Sequence, residues 1–157
     1  MKLQIGITQE HLKNSISILS SILANEMTLY VKLRKFHWNV SGESFMEFHK
    51  LFEGQYIELE ASIDEVAERI SKLGGKTIGT MKEFSDLTII KESPNHYPSQ
   101  KEMVKELLED HEIVIVQLRK DVDTSSEENK DAATADFLTG LLAAHETMAW
   151  TLRRYLE

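Results

Sequence analysis

The chain has 157 residues, of which 41% are hydrophobic, and a formal net charge of −8 at pH 7. This length suits one well-buried domain over residues 1–157, with a short N-terminal tail over residues 1–7. The absence of cysteine excludes disulfides and thiolate metal sites, so histidine and carboxylate side chains are the strong metal ligands. The acidic charge disfavours a general phosphate-binding surface. No signal peptide or membrane span is recognisable, and we expect a cytoplasmic protein.

The first predicted element is a long helix. Both prolines, Pro94 and Pro98, lie in one short stretch, so nothing interrupts the periodic segments on either side of it. Thr8 is a good N-cap, and apolar residues then recur at steps of three and four to about Trp38. We expect a turn at residues 39–42.

A second long helix is predicted over residues 45–73. Its apolar residues, Ile57 among them, recur at helical spacing, and Gly74 with Gly75 should end it. The connection that follows, residues 76–98, is too long for a tight helical hairpin. An amphipathic pattern within it, at residues 81–90, predicts a short crossover helix.

Two further helices complete the predicted fold. The third begins at a capping box formed by Ser99 and Glu102, and its apolar stripe reaches Leu118. A polar stretch, residues 121–131, precedes the fourth helix, whose apolar positions run over residues 137–156. Four long helices with one long crossover predict an all-α fold of the ferritin-like four-helix-bundle plan.

Two pairs of metal-capable side chains lie on the second predicted helix. His49 and Glu53 are four residues apart, and so are Asp64 and Glu68, so each pair projects from one helix face. The step from His49 to Asp64 corresponds to about 22 Å of helix. Two such helices running antiparallel across a twofold axis would bring one chain's first pair against its partner's second pair. The spacing therefore predicts a symmetric dimer with two metal sites.

Other interpretations of these side chains compete with a shared site. A di-iron site within one bundle uses Glu-x-x-His motifs, and none of the six histidines has a glutamate three residues before it. Either pair alone is more often a solvated helix face than a ligand set. Their combination with His37, at the end of the first helix, favours metal binding.

The surroundings of His37 carry a resemblance to a known family. Residues 37–42 read His-Trp-Asn-Val-Ser-Gly, residues 64–69 read Asp-Glu-Val-Ala-Glu-Arg before the glycine pair, and residues 145–150 read His-Glu-Thr-Met-Ala-Trp. In order and spacing these segments closely resemble the Dps family of mini-ferritins. The resemblance covers nearly the whole chain.

The resemblance implies an activity and a site. Members form hollow dodecameric shells, built from twofold dimers, that oxidise Fe(II) with hydrogen peroxide or O2 and store the ferric mineral, which protects against oxidative stress. Two iron ions are expected at each intersubunit site. His37, Asp64 and Glu68 match the ligands of the tighter iron site, and His49 and Glu53 match those of the weaker one. The family's usual residue at the last position is aspartate, and glutamate reaches one methylene farther.

The resemblance also suggests accessory residues. Trp38 and Trp150 match tryptophans that can donate an electron to an errant oxidant, although both are equally explained as core or interface aromatics. Asp136 and Asp131 match the acidic pores through which iron enters the shell, although a helix N-terminus also favours acids. The four remaining histidines are interpreted as structural: His11, His96, His111 and His145.

Two other functions remain open. Many relatives bind DNA through basic tails, but Lys2 is the single basic residue before the first predicted helix, so we expect weak or absent DNA binding. The other alternative is a structural or recognition shell that has kept the fold and lost the chemistry. All five ligand positions still carry metal-capable side chains, which argues against that function.

Overall fold

The computed structural model describes residues 3–157, so Lys2 and the first part of the predicted tail lie outside the described residues. Within this range the chain is all-α, and no helix in it is long and apolar enough to cross a membrane. The helices are α1 (Gln9–Asn39), α2 (Phe45–Lys72), α3 (Met81–Leu87), α4 (Gln100–Asp123) and α5 (Ala132–Arg154), with a π-helical turn (Thr124–Glu128) after α4. The predicted four-helix bundle with a short crossover helix is confirmed.

The helix ends follow the predicted signals. Thr8 accepts a hydrogen bond from the His11 backbone N–H at 3.2 Å and begins α1. At the end of α2, Gly74 has a φ of 83°, and the Gly75 N–H donates to the Ile70 carbonyl at 3.0 Å. This is the geometry of a Schellman motif, which a residue with a Cβ adopts at a cost. The second helix therefore stops at the predicted glycine pair.

The crossover helix is shorter than the sequence predicts. A capping box between Thr80 and Glu83 begins α3, and the helix ends before Ile89. The backbone beyond it is held to α1, because the Ile89 N–H and the Thr88 hydroxyl both donate to Asn25 Oδ1, at 2.9 and 3.2 Å. These two bonds direct the chain away from helical geometry and fix the crossover on the bundle.

The polar stretch at residues 121–131 is largely helical, which corrects its interpretation as a segment between helices. Asp121, Ser125 and Asn129 recur every four residues and are all buried, so the stretch is a packed continuation of α4. Gln117 donates to the Asp121 carboxylate at 2.9 Å, and burial raises the pKa of Asp121. The polar composition of this stretch gave no sign in the sequence that one of its faces is helical and buried.

Two hydrophobic clusters form the core and lie one after the other along the bundle. The first includes Leu23, Val114 and Leu142, and the second includes Leu33, Leu107 and Leu152. Between them α1, α4 and α5 each contribute one fully buried polar side chain. These three residues are Glu26, His111 and His145.

Ile57 does not lie on the buried face of α2, contrary to the predicted pattern. Its side chain is 54% exposed, whereas the adjacent Tyr56 is buried. Phe52, Leu59 and Val66 are buried as predicted, so the buried stripe of α2 is narrower than the apolar spacing suggests. As a result, an apolar side chain lies on the outer face of α2 between the two predicted ligand pairs.

Asp131 has a structural role at the start of α5. Its carboxylate is 1% exposed and accepts hydrogen bonds from the Thr134 backbone N–H at 3.1 Å and the Thr134 hydroxyl at 2.6 Å. The Arg69 guanidinium of α2 also pairs with it at 3.2 Å. The residue is an N-cap that joins α2 to α5, whereas Asp136 one turn later is exposed. We therefore leave Asp131 out of the proposed pore.

This difference between the two aspartates predicts different effects on stability. Replacing Asp131 with alanine removes the cap and leaves Arg69 without its partner, so we expect a loss of about 2–4 kcal/mol. The matched variant Asp136→Ala should change stability by less than about 0.5 kcal/mol. Chemical denaturation followed by circular dichroism measures both, and equal losses in the two variants would contradict this role for Asp131.

Candidate metal centre

His37 and His49 lie together where α1 passes into α2. His37 is in the last turn of α1 and His49 is in the second turn of α2, and a short connection over residues 40–44 joins the two helices. Their imidazole rings are stacked, with centroids 3.7 Å apart and planes 19° from parallel. The structure thus brings together two of the five predicted ligands, which are 12 residues apart in sequence.

Reciprocal hydrogen bonds fix the orientation of these two rings. The His37 Nδ1–H donates to the His49 carbonyl at 2.8 Å, and the His49 Nδ1–H donates to the His37 carbonyl at 2.9 Å. Because a carbonyl oxygen only accepts, each Nδ1 carries the proton, and each neutral ring keeps an unprotonated Nε2. In metalloproteins, a hydrogen bond from the ring nitrogen that does not bind the metal orients the ligating histidine. Each ring therefore keeps one nitrogen, Nε2, that could bind a metal ion.

Tyr56 and Arg34 border this pair and were not identified from the sequence. The Tyr56 ring meets the His37 ring edge-on at 5.2 Å, and the Arg34 guanidinium lies 4.4 Å from the Tyr56 ring centre. The Tyr56 hydroxyl donates to Glu53 Oε1 over a long 3.4 Å. The only available signal was the three-residue step from Glu53 to Tyr56, which is common on helices. Tyr56 thus contacts two of the predicted ligands.

Asp64 and Glu68 lie on the exposed surface of α2, far from the histidines of their own chain. Glu68 is 59% exposed and pairs with Lys72, the Nζ to Oε2 distance being 3.0 Å. Because α2 is uninterrupted, the 15 residues from His49 to Asp64 span about 22 Å. One ion cannot bridge that distance.

A single chain therefore presents two separate half-sites. Within residues 3–157, no three His, Asp or Glu side chains lie close enough together to hold a metal ion. We call His37, His49 and the half-buried Glu53 the histidine half-site, and we call Asp64 with Glu68 the carboxylate half-site. Each offers fewer side-chain ligands than the four or more coordination positions of a transition metal ion.

The remaining predicted residues lie outside these half-sites. Trp38 is 67% exposed with the Arg34 guanidinium 5.6 Å from its ring, and Trp150 is 55% exposed. Asp136 lines a groove between α2 and α5 with Glu58 and Glu65.

The four histidines interpreted as structural have varied surroundings. His11 is partly buried near the start of α1, and His96 is exposed and within 3.0 Å of Glu106. His111 and His145 are fully buried between the two hydrophobic clusters. None of the four lies in the half-sites.

The chain resembles known proteins along nearly its whole length. A family model described as a ferritin-like domain matches residues 16–157. An uncharacterised low-temperature-induced protein of Nostoc is 44% identical over 156 residues, which cover 99% of this chain and 87% of that protein. DNA protection during starvation protein 2 of Bacillus anthracis is 36% identical over 145 residues, which cover 92% of this chain and 98% of that protein.

Solved structures give the same result. DpsC from Streptomyces coelicolor aligns with a TM-score of 0.96 at 26% identity and covers 100% of this chain and 91% of its own. Dps from Bacillus brevis aligns with a TM-score of 0.90 at 34% identity, covering 96% of this chain and 100% of its own. The bundle and its crossover are thus shared in three dimensions as well as in sequence.

Proposed function

This chain belongs to the Dps family of ferritin-like proteins, and on that premise we propose that it oxidises Fe(II) and stores the ferric product. Iron is the substrate and the cargo in this proposal. The observation that carries it is the reciprocal hydrogen bonding of His37 and His49, which uses each Nδ1 and leaves the Nε2 atom of each ring available to a metal ion.

We propose that two chains complete each site across a twofold axis. His37, His49 and Glu53 of one chain would face the partner's Asp64 and the partner's Glu68. In an antiparallel pairing of two α2 helices, His49 lies opposite the partner's Glu68 in the same register that places Glu53 opposite the partner's Asp64. Both pairs are symmetric about a point between residues 58 and 59, so one register satisfies all the ligands at once.

The exposed Ile57 supports this register. It lies next to the symmetry point, and its 54% exposure leaves an apolar side chain on the surface of a single chain. In the proposed dimer, Ile57 would be near the partner's Ile57 at the axis and would be removed from water. The same contact would hold the carboxylate half-site of one chain against the histidine half-site of the other.

The chemistry of the ligand set suits paired iron oxidation. Imidazole and carboxylate ligands bind Fe(II) and leave open coordination positions for an oxidant. Two Fe(II) ions give one electron each to one hydrogen peroxide, its O–O bond breaks, and two protons complete two waters. O2 is the alternative oxidant. Following the family, His37, Asp64 and Glu68 would hold the tighter ion, and His49 with Glu53 the weaker one.

Assembly and iron supply follow from the same proposal. Twofold dimers would build a dodecameric shell in the cytoplasm, with iron entering through acidic pores. Asp136 is exposed and shares a groove with Glu58 and Glu65, so a line of carboxylates runs from α5 onto α2. Trp38 and Trp150 are exposed and would serve either as interface aromatics or as electron donors to oxidant that escapes the site.

The first test is peroxide-driven oxidation after anaerobic Fe(II) loading. Natural protein should oxidise about two Fe(II) per peroxide, because two neighbouring ions supply both electrons. The double variant His37→Ala, Glu68→Ala removes one ligand from each half-site, and we expect oxidation at least about a hundredfold slower. Absorbance and peroxide consumption give the rate and the stoichiometry.

A matched control uses residues outside both half-sites. The variant His96→Ala, Glu106→Ala removes an exposed histidine and its carboxylate partner, and it should oxidise iron like the natural protein. Equal and slow oxidation in all three proteins would reject the ferroxidase proposal and favour a structural or recognition shell.

DNA protection is a second candidate function, because several relatives carry that name. The charge of this chain opposes it: the formal net charge is −8, and assembly multiplies that charge. The two arginines near the C-terminus are paired within the chain, Arg153 with Glu112 at 2.7 Å and Arg154 with Glu157 at 2.6 Å. Binding to phosphates would have to compete with these carboxylates.

We therefore expect little or no DNA binding at physiological salt. In a gel-shift experiment without added divalent cations, the assembled protein should leave duplex DNA unshifted. A variant that replaces Glu112 and Glu157 with glutamine frees both arginines and serves as the comparison. Retarded or condensed DNA with the natural protein at moderate salt would contradict the expectation.

A further inference from the structure

Three buried side chains form a hydrogen-bonded chain through the centre of the bundle. His145 Nε2 donates to Glu26 Oε1 at 2.7 Å, and the Nδ1 atoms of His145 and His111 are 2.9 Å apart. All three residues are 0% exposed. They come from α1, α4 and α5, so the hydrogen bonds among them join three of the four long helices. We call Glu26, His111 and His145 the core triad.

The contact between the two imidazoles holds only one proton. One ring must donate and the other must accept, because two facing N–H groups repel each other. While the contact is intact, the two rings therefore cannot both be cationic. In water both would become cationic below the ordinary histidine pKa of about 6.5. At low pH the folded state therefore binds one proton fewer at these two rings than the unfolded chain does.

Among residues 3–157, no other unpaired buried charge lies beside the triad to offset a second proton. The buried side chains of α2 that face the core are uncharged at neutral pH: Phe52, Gln55, Tyr56, Leu59, Val66 and Ile70. On α1 and α4 the neighbouring buried charges, Lys32 and Asp110, are paired with each other at 2.5 Å. On α5, His145 is the single buried ionisable side chain within Ala132–Arg154. Only Glu26 is available to balance a charge on the triad.

We propose that the core triad is an acid-sensitive latch that holds α5 to α1 and α4 with one shared proton and opens the bundle when a second proton enters. Opening would separate the His111 and His145 rings and expose the two hydrophobic clusters on either side of them. The latch is independent of iron, since no member of the triad belongs to the proposed ferroxidase half-sites.

The direction of the pH effect follows from linkage. Burial, together with the neighbouring His145, holds the pKa of His111 well below its usual value. The unfolded chain then binds more protons than the folded chain below pH about 6.5, so stability falls as pH falls from that value. For each proton that only the unfolded state binds, the unfolding equilibrium constant rises about tenfold per unit fall in pH.

The test is an acid titration of the assembled, metal-free protein from pH 8 to pH 4. Circular dichroism reports helicity, and light scattering reports the size of the assembly. His111→Asn places an amide N–H near the position of the ring Nδ1–H, so it can still donate to His145, but it cannot take a second proton. We expect its acid transition to lie at least about half a pH unit lower than that of the natural protein and to be less steep.

An exposed histidine supplies the control. His96→Asn removes an exposed imidazole that contacts Glu106, and its transition should coincide with that of the natural protein. Coincident transitions for His111→Asn and the natural protein would overturn the proposal, as would an equal shift in His96→Asn.

A second measurement applies to the natural protein alone and decides the matter if His111→Asn does not fold. Hydrogen–deuterium exchange at the imidazole C2 position, followed by mass spectrometry of histidine peptides, reports the titration of each ring. His111 should not titrate above the pH of the helical transition. Titration of His111 with full helicity retained would overturn the latch.

Discussion

The length and continuity of α2 constrain everything else in this molecule. A single helix from Phe45 to Lys72 carries both pairs of metal-capable side chains and keeps them about 22 Å apart. No flexibility within one chain can close that gap without breaking the helix. The glycine pair stops the helix just after the second half-site, so α2 is long enough to carry both. The proposed metal chemistry at this surface therefore depends on assembly.

Local hydrogen bonds determine how firmly the side chains of each half-site are oriented. His37 and His49 hold each other through backbone carbonyls, so the fold of the α1–α2 connection and the orientation of the ligands are one structural feature. The carboxylate half-site is less organised, since Glu68 is exposed and pairs only with Lys72. This asymmetry suits a site in which one chain provides fixed imidazoles and the other provides carboxylates that adjust to the ion.

Sequence reasoning predicted the helices well where caps and apolar spacing are local signals, as at Thr8, Ser99 and Gly74. It failed for the buried polar turn after α4, because composition does not show whether a polar side chain has a partner. The ligand types and their spacing could also be predicted from the sequence. The stacking of His37 on His49 could not, since it depends on how two helices pack. The Glu26–His145 contact joins residues 119 positions apart, and no local pattern reveals such a contact.

The most direct test of a site shared between chains is complementation. One chain carries His37→Ala, His49→Ala and Glu53→Ala, another carries Asp64→Ala and Glu68→Ala, and iron oxidation is measured for each alone and after co-assembly. If two chains share the site, each alone is inactive, and mixed shells regain up to about one quarter of the natural sites, because half of the randomly paired dimers contain one intact site. Mixed shells that remain as inactive as their parents would contradict the account.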